Sequence, residues 1–368
     1  MGVAFYAPLK SPDHPIPSGD RAMGRALLRA LDMAGAEPSL TCRLRTYDRG
    51  AAERQRRLEQ VADGLAPRLV RRLRLARPSC WFTYHCHHKA PDLLGWRVAG
   101  ALGLPYVIAE ASDAPKRATG AWAVGHRQAR QAIEAADVVL AMSRVDVECL
   151  RPLVQPPARL LRFPPFVEVG DIHSAEPAPR ARRLLVVAML REGAKARSFA
   201  VLFEALRGLL DRTWTLEIVG DGPARPAIES SARAALGDRV TFLGRIDDRR
   251  RLEGLIAAAD AMPWPAVDEA YGMALLEAQA LGLPVVAGDG HGVPDVVADG
   301  VSGLLVPVGD VTAFRAALAR LMDEPGLARR LGAAAAAHVR GSHDLVGAAR
   351  RIGEALALAN AVHAEKTA

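Results

Sequence analysis

Short hydrophobic runs alternate with stretches of helical spacing throughout the first half of the chain. Such runs are typical of the buried strands of a parallel sheet, and the stretches between them are typical of the helices that cover it. Six strands are predicted in this half: Val3–Tyr6, Ser39–Leu44, Cys80–Tyr84, Tyr106–Ala109, Val138–Ala141 and Arg159–Arg162. Helical spacing is clearest over Arg21–Ala34, Asp92–Leu102 and Trp122–Ala135. This order predicts an α/β domain over residues 1–165.

A proline-rich stretch interrupts the alternation before it begins again. Residues 166–182 contain Pro177 and Pro179 and follow Pro164 and Pro165, so we predict an interdomain linker there. A second series of strands is predicted after it: Leu184–Ala188, Thr215–Val219, Val240–Phe242, Ala261–Pro263, Pro284–Ala287 and Gly303–Leu305. This series defines a second domain over residues 183–342. Residues 343–368 are expected to form a helix that packs back toward the first domain.

Length and composition agree with two folded domains. The chain has 368 residues, of which 50% are hydrophobic, and this suits two domains of similar size. Because doubly wound parallel sheets bind ligands beyond the carboxyl ends of their strands, we predict two facing Rossmann-like domains with the active site in the cleft between them. We expect a cytoplasmic protein, since the chain shows no secretory leader, no bilayer-spanning stretch and four scattered cysteines.

Positive charge is concentrated in the first half of the chain. Residues 1–180 carry 26 Lys and Arg against 18 Asp and Glu, whereas residues 181–368 carry 22 against 23. Much of the excess lies in residues 49–77, where arginines alternate with hydrophobic residues at helical spacing. A solvated helix face is the simplest interpretation, and peripheral docking on an anionic membrane is the alternative. Nucleic acid is not expected as a partner, because no aromatic stacking platform accompanies the arginines.

The segment from Asp268 to Val286 carries the most specific chemistry. A predicted strand ends at Pro263, a polar loop follows, and a helical pattern opens near Gly272. The unpaired amides and the positive dipole end of such a helix favour a phosphate or a polarised sugar oxygen. Glu269, just before the helix, could accept hydrogen bonds from sugar hydroxyls, and Glu277 could hold a ribose diol. The structural alternatives are a helix-start carboxylate for Glu269 and a solvated face for Glu277.

In these residues the chain resembles glycosyltransferase family four, the retaining enzymes of the GT-B fold. The hallmark of that family is a pair of glutamates separated by seven residues, which Glu269 and Glu277 match. Four further stretches are similar to family motifs in the same order: Val219–Pro223, Val240–Arg245, Gly290–Asp295 and Asp299–Pro307. The resemblance covers nearly the whole C-terminal half. It implies transfer of a sugar from a nucleoside diphosphate with retention of configuration and without a metal ion.

The resemblance also implies roles for individual residues. Lys195 matches the family lysine that neutralises the donor diphosphate, Met189 stands in place of the family arginine, and Arg191 is the candidate substitute. With Glu269 they form the candidate catalytic set of Lys195, Arg191 and Glu269. The residues expected to bind the donor are Gly220, Gly222, Arg245, Tyr271, Gly272, Met273, Ala274 and Glu277. No cofactor is expected besides a UDP-linked or GDP-linked sugar as co-substrate.

The candidates for acceptor binding lie in the N-terminal half. Gly19 matches a glycine-rich loop of the family, His85 and Lys89 follow a predicted strand, and Glu110 stands where the family often has a histidine. The run from His85 to His88 could also be a metal site or an ordinary loop, although its spacing matches no standard ligand set. The resemblance implies a saccharide or a lipid-linked acceptor.

Two other functions remain open on the sequence. Tandem Rossmann-like domains also suit a nicotinamide-dependent oxidoreductase, although the stretch that starts with Gly220 and Gly222 has Arg225 in place of the third fingerprint glycine. A non-catalytic protein that binds sugar nucleotides is the third possibility, because Met189 and Glu110 depart from the family pattern.

Overall fold

The structure is a computed structural model that describes residues 2–16, 18–156, 159–168, 182–324 and 326–368. The chain divides into two compact units. Unit 1 comprises Met1–Pro164 and Leu345–Ala368, and unit 2 comprises Pro165–Asp344. Of the linker predicted over residues 166–182, residues 169–181 with Pro177 and Pro179 lie outside the described residues. Both units have the α/β architecture that the alternating pattern predicts.

Unit 1 is built on one parallel sheet of six strands. These strands are β1 (Val3–Tyr6), β2 (Pro38–Cys42), β3 (Cys80–Cys86), β4 (Tyr106–Ala111), β5 (Val138–Ala141) and β6 (Leu160–Arg162). The helices between them are α1 (Gly19–Met33), α2 (Ala52–Ala76), α3 (Gly95–Leu102), α4 (Ala123–Ala135) and α5 (Arg144–Leu150). The strands lie in the order β2-β1-β3-β4-β5-β6. The strand order therefore reverses between β1 and β3.

The central strands β3 and β4 are longer than the sequence predicts. All seven side chains of β3 are buried, including Trp81 and Phe82, a pattern typical of a parallel strand covered on both faces. His85 lies inside β3 and Glu110 inside β4, so their expected placement in the loops after these strands is wrong. The backbone of both residues departs from regular strand geometry, with φ of 72° at His85 and 59° at Glu110.

Unit 2 contains two three-stranded parallel sheets joined by one bridge. Its strands are β7 (Arg183–Val187), β8 (Thr215–Val219), β9 (Val240–Gly244), β10 (Met262–Trp264), β11 (Val285–Asp289) and β12 (Gly303–Pro307). Its helices are α6 (Ala194–Arg207), α7 (Arg225–Leu236), α8 (Arg249–Ala258), α9 (Met273–Ala280), α10 (Val311–Asp323) and α11 (Leu327–Ser342). Because Leu184 bridges to Ala261, the strands follow the order β9-β8-β7-β10-β11-β12. This order is typical of dinucleotide-binding folds, and it reverses between β7 and β10.

The arginine-rich stretch forms the amphipathic helix α2. Its buried face, which includes Ala62, Ala66, Leu69 and Leu73, packs into the core of unit 1. The exposed arginines of this helix are Arg54, Arg56, Arg57, Arg68, Arg71, Arg72 and Arg74. None of the helices in the described residues combines the length and the hydrophobicity that a membrane span requires.

The last helix, α12 (Leu345–Thr367), belongs to unit 1 and packs against α1, β4 and β5. Near its end, Lys366 Nζ lies 2.6 Å and His363 Nδ1 3.3 Å from the buried carboxylate of Asp137. The same carboxylate accepts a hydrogen bond from the backbone amide of Tyr106 at 2.9 Å. The Asp137 side chain therefore joins the start of β4 to the end of the C-terminal helix.

Replacing Asp137 with Asn should destabilise unit 1, because Lys366 and His363 then lose the charge of their buried partner. We expect the free energy of unfolding to fall by about 1–3 kcal/mol in chemical denaturation. Glu354→Gln on the same helix is the control, since it breaks only an exposed pair with Arg350 and should cost about 0.5 kcal/mol or less. Equal losses in the two variants would contradict a stabilising role for Asp137.

Candidate functional site

The reversal of strand order in unit 2 brings two distant loops side by side. The loop after β7 leads to α6, and the loop after β10 leads toward α9. Doubly wound sheets bind their ligands at this point, because the loops on either side of the reversal diverge and leave a crevice. Lys195 and Glu269, two of the predicted catalytic residues, follow these two strands and lie 74 positions apart in the chain.

Lys195 is the second residue of α6, and the start of this helix has no side-chain cap. Its N-cap residue, Gly193, has a φ of 77° and open space where a Cβ would lie. The first amides of α6 are therefore available to a ligand, and the positive dipole end adds to the charge of the lysine. One turn later, Ser198 Oγ accepts a hydrogen bond from the amide of Val267 at 3.0 Å and ties α6 to the loop after β10.

Glu269 lies in a tightly wound loop between β10 and α9. Ala266 and Asp268 have positive φ angles of 55° and 50°, and the Glu269 amide donates to the carbonyl of Ala266 at 3.2 Å. The Glu269 carboxylate forms an ion pair with Lys195 Nζ, and its Oε2 also accepts a hydrogen bond from the indole N–H of Trp264 at 3.0 Å. The side chains of Lys195 and Glu269 are 24% and 18% exposed. A ligand can reach the pair, although the protein covers most of it.

The helix α9 begins directly after this loop. Gly272 is its N-cap residue, with φ of 78° and ψ of 71°, a left-handed conformation that suits glycine. A Cβ at this position would lie 2.8 Å from Leu275 Cδ1. Met273 and Ala274 form the half-buried first turn, so their amides precede the hydrogen-bonded part of the helix. Tyr271, beside the N-cap, is buried.

Glu277 lies on α9 and is half-buried. Burial raises the pKa of its carboxyl to about 7, while the charge of Arg249 lowers this pKa and the charge of Glu253 raises it. Arg249 forms its own ion pairs with Glu253 and Glu168, at 2.7 Å and 3.1 Å. A desolvated carboxyl with a raised pKa is typical of functional sites. The half-buried side chain of Glu277 does not belong to a fully solvated face.

The glycine turn after β8 lets two backbone segments meet. Gly220 and Gly222 have positive φ angles of 141° and 158°. A Cβ on Gly220 would lie 1.8 Å from the carbonyl oxygen of Ala188, and one on Gly222 would lie 2.2 Å from that of Leu190. The amide of Leu190 donates to the carbonyl of Asp221 at 3.1 Å. Only glycine fits at these two positions, and the turn is thereby fixed against the loop that leads to α6.

Two predicted site residues, Arg191 and Arg245, lie on exposed loops. Arg245 forms an ion pair with Asp247 at 2.7 Å, and both side chains are well exposed. The backbone amide of Arg191 donates to the carbonyl of Met189 at 3.1 Å, and its side chain is exposed. Direct contact within the candidate catalytic set is therefore seen for Lys195 and Glu269.

The predicted acceptor residues of unit 1 are only partly brought together. His85 Nε2 lies 3.0 Å from Glu110 Oε1 and 3.9 Å from Asp20 Oδ1. Gly19 is the first residue of α1, directly before Asp20. Because α1 follows β1, these residues meet at the reversal of strand order between β1 and β3. Lys89 is not part of this group, because its side chain is exposed and lies over the ring of Trp122.

The surroundings of His85 are buried and acidic. Burial lowers the pKa of His85, but the charge and hydrogen bond of Glu110 and the charges of Asp20 and Asp146 outweigh it, so the pKa is raised. The pKa of Asp146 is itself raised to about 6, chiefly by burial. Over the residues that the structure describes, no group of three or more His, Cys, Asp or Glu side chains is arranged to hold a metal ion.

Comparison with known proteins identifies the family. A family model described as Glycosyl transferases group 1 matches residues 181–324. A D-inositol 3-phosphate glycosyltransferase of Streptomyces griseus is 32% identical over 308 residues, which cover 72% of this chain and 64% of that protein. A protein of the same name from Actinosynnema mirum is 30% identical over 296 residues, which cover 72% of this chain and 69% of that protein. The chain belongs to the group 1 glycosyl transferases.

The resemblance of this glycosyl transferase to family four is thereby confirmed, and so is its fold class. Sucrose-phosphate synthase from Thermosynechococcus elongatus has a TM-score of 0.74 at 20% identity, with 96% of this chain and 98% of that chain covered. Anabaena HepE in complex with UDP has a TM-score of 0.73 at 19% identity, with 97% of this chain and 100% of that chain covered. These likenesses show the GT-B fold. The match spans slightly less than two thirds of the Streptomyces relative.

Sequence reasoning missed one residue of this glycosyl transferase site. Trp264 contacts both Lys195 and Glu269. It ends a strand of three residues, so its sequence position indicates only a residue of the hydrophobic core. Its position five residues before Glu269 is the one signal that the sequence offers, because the indole ring has an N–H that requires a partner when buried.

Glu277→Gln should stabilise the ligand-free glycosyl transferase above neutral pH. The folded-state pKa of about 7 exceeds the ordinary value of 4.5, so stability present at low pH is lost as the pH rises through 7 and the buried carboxyl ionises. The melting temperature of the variant should exceed that of the wild type at about pH 8 and match it at about pH 5. Glu324→Gln, at an exposed position, is the control. Equal melting temperatures of variant and wild type at both values would contradict a desolvated Glu277.

Proposed function

We propose that this glycosyl transferase moves a sugar from a nucleoside diphosphate donor to a saccharide or lipid-linked acceptor, with retention of configuration. The observation that carries the proposal is the ion pair of Lys195 with Glu269 near the starts of α6 and α9. An ammonium group and two helix N-termini favour a diphosphate, and an adjacent carboxylate favours sugar hydroxyls. A nucleoside diphosphate sugar carries a diphosphate directly beside sugar hydroxyls.

In the proposed reaction, the bond between the anomeric carbon and the diphosphate oxygen breaks while the acceptor hydroxyl attacks on the same face. The departing diphosphate takes the proton of that hydroxyl, so the step requires no protein nucleophile. Lys195, with Arg191 from the preceding loop, stabilises the charge that develops on the diphosphate. Glu269 orients the sugar. We propose that the reaction proceeds without a metal ion or a further cofactor.

The nucleoside is proposed to bind along the glycine turn and α9. Gly220 and Gly222 fix the turn beside the nucleoside against the loop that leads to α6, Glu277 holds the ribose diol, and Arg245 flanks the base. The amides beside Gly272, at Met273 and Ala274, face the negative part of the donor in this proposal. Structures of Anabaena HepE contain UDP and UDP-glucose, which supports a UDP-linked donor as the first choice and a GDP-linked donor as the second. The comparisons give no support to the oxidoreductase alternative.

The acceptor is proposed to bind unit 1 near His85 and Glu110. His85 is 4% exposed, and its Nδ1 has no hydrogen-bond partner in the described part of the chain. The charges of Glu110, Asp20 and Asp146 around it disfavour a phosphate, although the relatives are named D-inositol 3-phosphate glycosyltransferases. We therefore propose that a hydroxyl of a saccharide or lipid-linked acceptor contacts this group, in a reaction that takes place in the cytoplasm.

Lys195→Ala and Glu269→Ala should each lower kcat/KM for sugar transfer by about a hundredfold or more, because Lys195 stabilises the departing diphosphate and Glu269 orients the sugar. The measurement is release of nucleoside diphosphate from a panel of nucleotide sugars with simple saccharide acceptors. Arg207→Ala, at the other end of α6, removes an exposed pair with Glu204 and should keep kcat/KM within about twofold. Near-normal turnover in both site variants would rule out the assigned roles.

We also propose that α2 docks the protein on an anionic membrane surface. Arg54, Arg57, Arg68 and Arg71 recur at helical spacing on its exposed side, and Leu75, which is 87% exposed, continues the row. Cations next to an exposed apolar side chain suit the boundary between lipid headgroups and acyl chains. Each arginine adds about 1 kcal/mol at such a surface. Docking would bring the protein to the surface that carries a lipid-linked acceptor.

A variant without this row of charges should bind vesicles of phosphatidylglycerol and phosphatidylcholine about a thousandfold more weakly in co-sedimentation. It replaces four arginines by Gln: Arg54, Arg57, Arg68 and Arg71. A control of equal net charge has four glutamines at other exposed arginines: Arg207, Arg233, Arg320 and Arg350. Wild-type binding should also weaken with added salt. Equal binding of the two variants would argue against α2 as the docking surface.

A further inference from the structure

Trp264 is the last residue of β10 and is 2% exposed. Its ring packs edge-on against Phe199 of α6, with 5.3 Å between the ring centroids. Phe199 packs in turn against Phe203, with 5.6 Å between their centroids. These aromatic contacts hold the indole ring at the strand-order reversal, between the helix that carries Lys195 and the loop that carries Glu269.

Both charged residues of the candidate site contact this indole ring. The N–H of Trp264 donates to Glu269 Oε2 at 3.0 Å, and Lys195 Nζ lies 5.1 Å from the ring centroid. The first contact is a hydrogen bond to an anion, which is stronger than a neutral one, and the second is within the range of cation–π attraction. One rigid side chain therefore holds the carboxylate and the ammonium group in a fixed relation.

The two oxygens of the Glu269 carboxylate have different contacts. The indole N–H and the ammonium group of Lys195 both contact Oε2. This arrangement leaves Oε1 for the sugar hydroxyls of the proposed donor. When a donor diphosphate draws the ammonium group toward itself, the indole N–H keeps its place, because the ring is packed in the core of unit 2.

We infer that Trp264 is a positioning residue of the transfer reaction, which holds Glu269 toward the donor sugar. The inference rests on the proposed function. Trp264 touches no reacting atom in this scheme and acts through Glu269. Its removal should therefore affect the turnover of the sugar donor more than the binding of the nucleotide.

Trp264→Phe tests this role, because it keeps an aromatic ring beside Lys195 but removes the N–H. We expect kcat/KM for the nucleotide sugar to fall about tenfold or more. The Kd of UDP, which lacks the sugar, should stay within about twofold of the wild-type value. In a Glu269→Ala background, the same substitution should cause little further loss, since the group that it positions is gone. An unchanged kcat/KM in Trp264→Phe would overturn the inference.

Trp214→Phe is the matched control in the same unit. Trp214 is also 2% exposed, and its indole N–H donates to the carbonyl of Leu209 at 2.8 Å. The substitution removes a buried indole hydrogen bond of the same kind away from the site, so kcat/KM should stay within about twofold of the wild-type value. Equal losses of kcat/KM in the two variants would show a purely structural effect and would also overturn the inference.

A double-mutant cycle on the ligand-free protein separates this inference from the proposed function. The effects of Trp264→Phe and Glu269→Ala on the chemical denaturation midpoint should be non-additive, whichever substrate the protein uses. Additive effects would overturn the inference. A wild-type protein that transfers no sugar from any donor, together with a non-additive cycle, would overturn the proposed function and leave the contact between Trp264 and Glu269 supported.

Discussion

The ion pair between Lys195 and Glu269 is the interaction on which the proposed site depends, and it exists because of the strand order in unit 2. The chain lays β8 and β9 on one side of β7 and β10 on the other, and Leu185 donates its amide to the carbonyl of Ala261 across that junction at 3.1 Å. A cation and a carboxylate from segments 74 positions apart thereby meet at one edge of the sheet. Partial burial makes each of them depend on a partner of opposite charge.

The backbone around this pair is fixed before any ligand binds. The glycine turn at Gly220 and Gly222 is locked against the loop that precedes α6, and Ser198 ties α6 to the loop that carries Glu269. Groups held in place in this way need no reorganisation when charge develops on a departing diphosphate, which is the main source of electrostatic catalysis. Trp264 contacts the two charged side chains and holds them in place in the same way.

The alternating hydrophobic pattern predicts each of the twelve strands in the described part of the chain, because each buried strand needs its own apolar run. The separate roles of Lys195 and Glu269 are predicted by the resemblance to family four, whereas their direct contact is not. Trp264 could not be predicted, since its contacts depend on which strands are neighbours. A polar residue ends the apolar run at His85 and at Glu110 and predicts both beyond their strands, yet β3 and β4 pair again at Cys86 and Ala111.

A crystal structure of the protein with a bound UDP-sugar that resists hydrolysis is the most direct test of the site. We predict a diphosphate oxygen within hydrogen-bond distance of Lys195 Nζ and of a backbone amide at the start of α6 or α9. We also predict a sugar hydroxyl on the carboxylate of Glu269, with the indole hydrogen bond of Trp264 retained. A nucleotide sugar bound elsewhere, with the ion pair of Lys195 and Glu269 unchanged, would contradict this assignment.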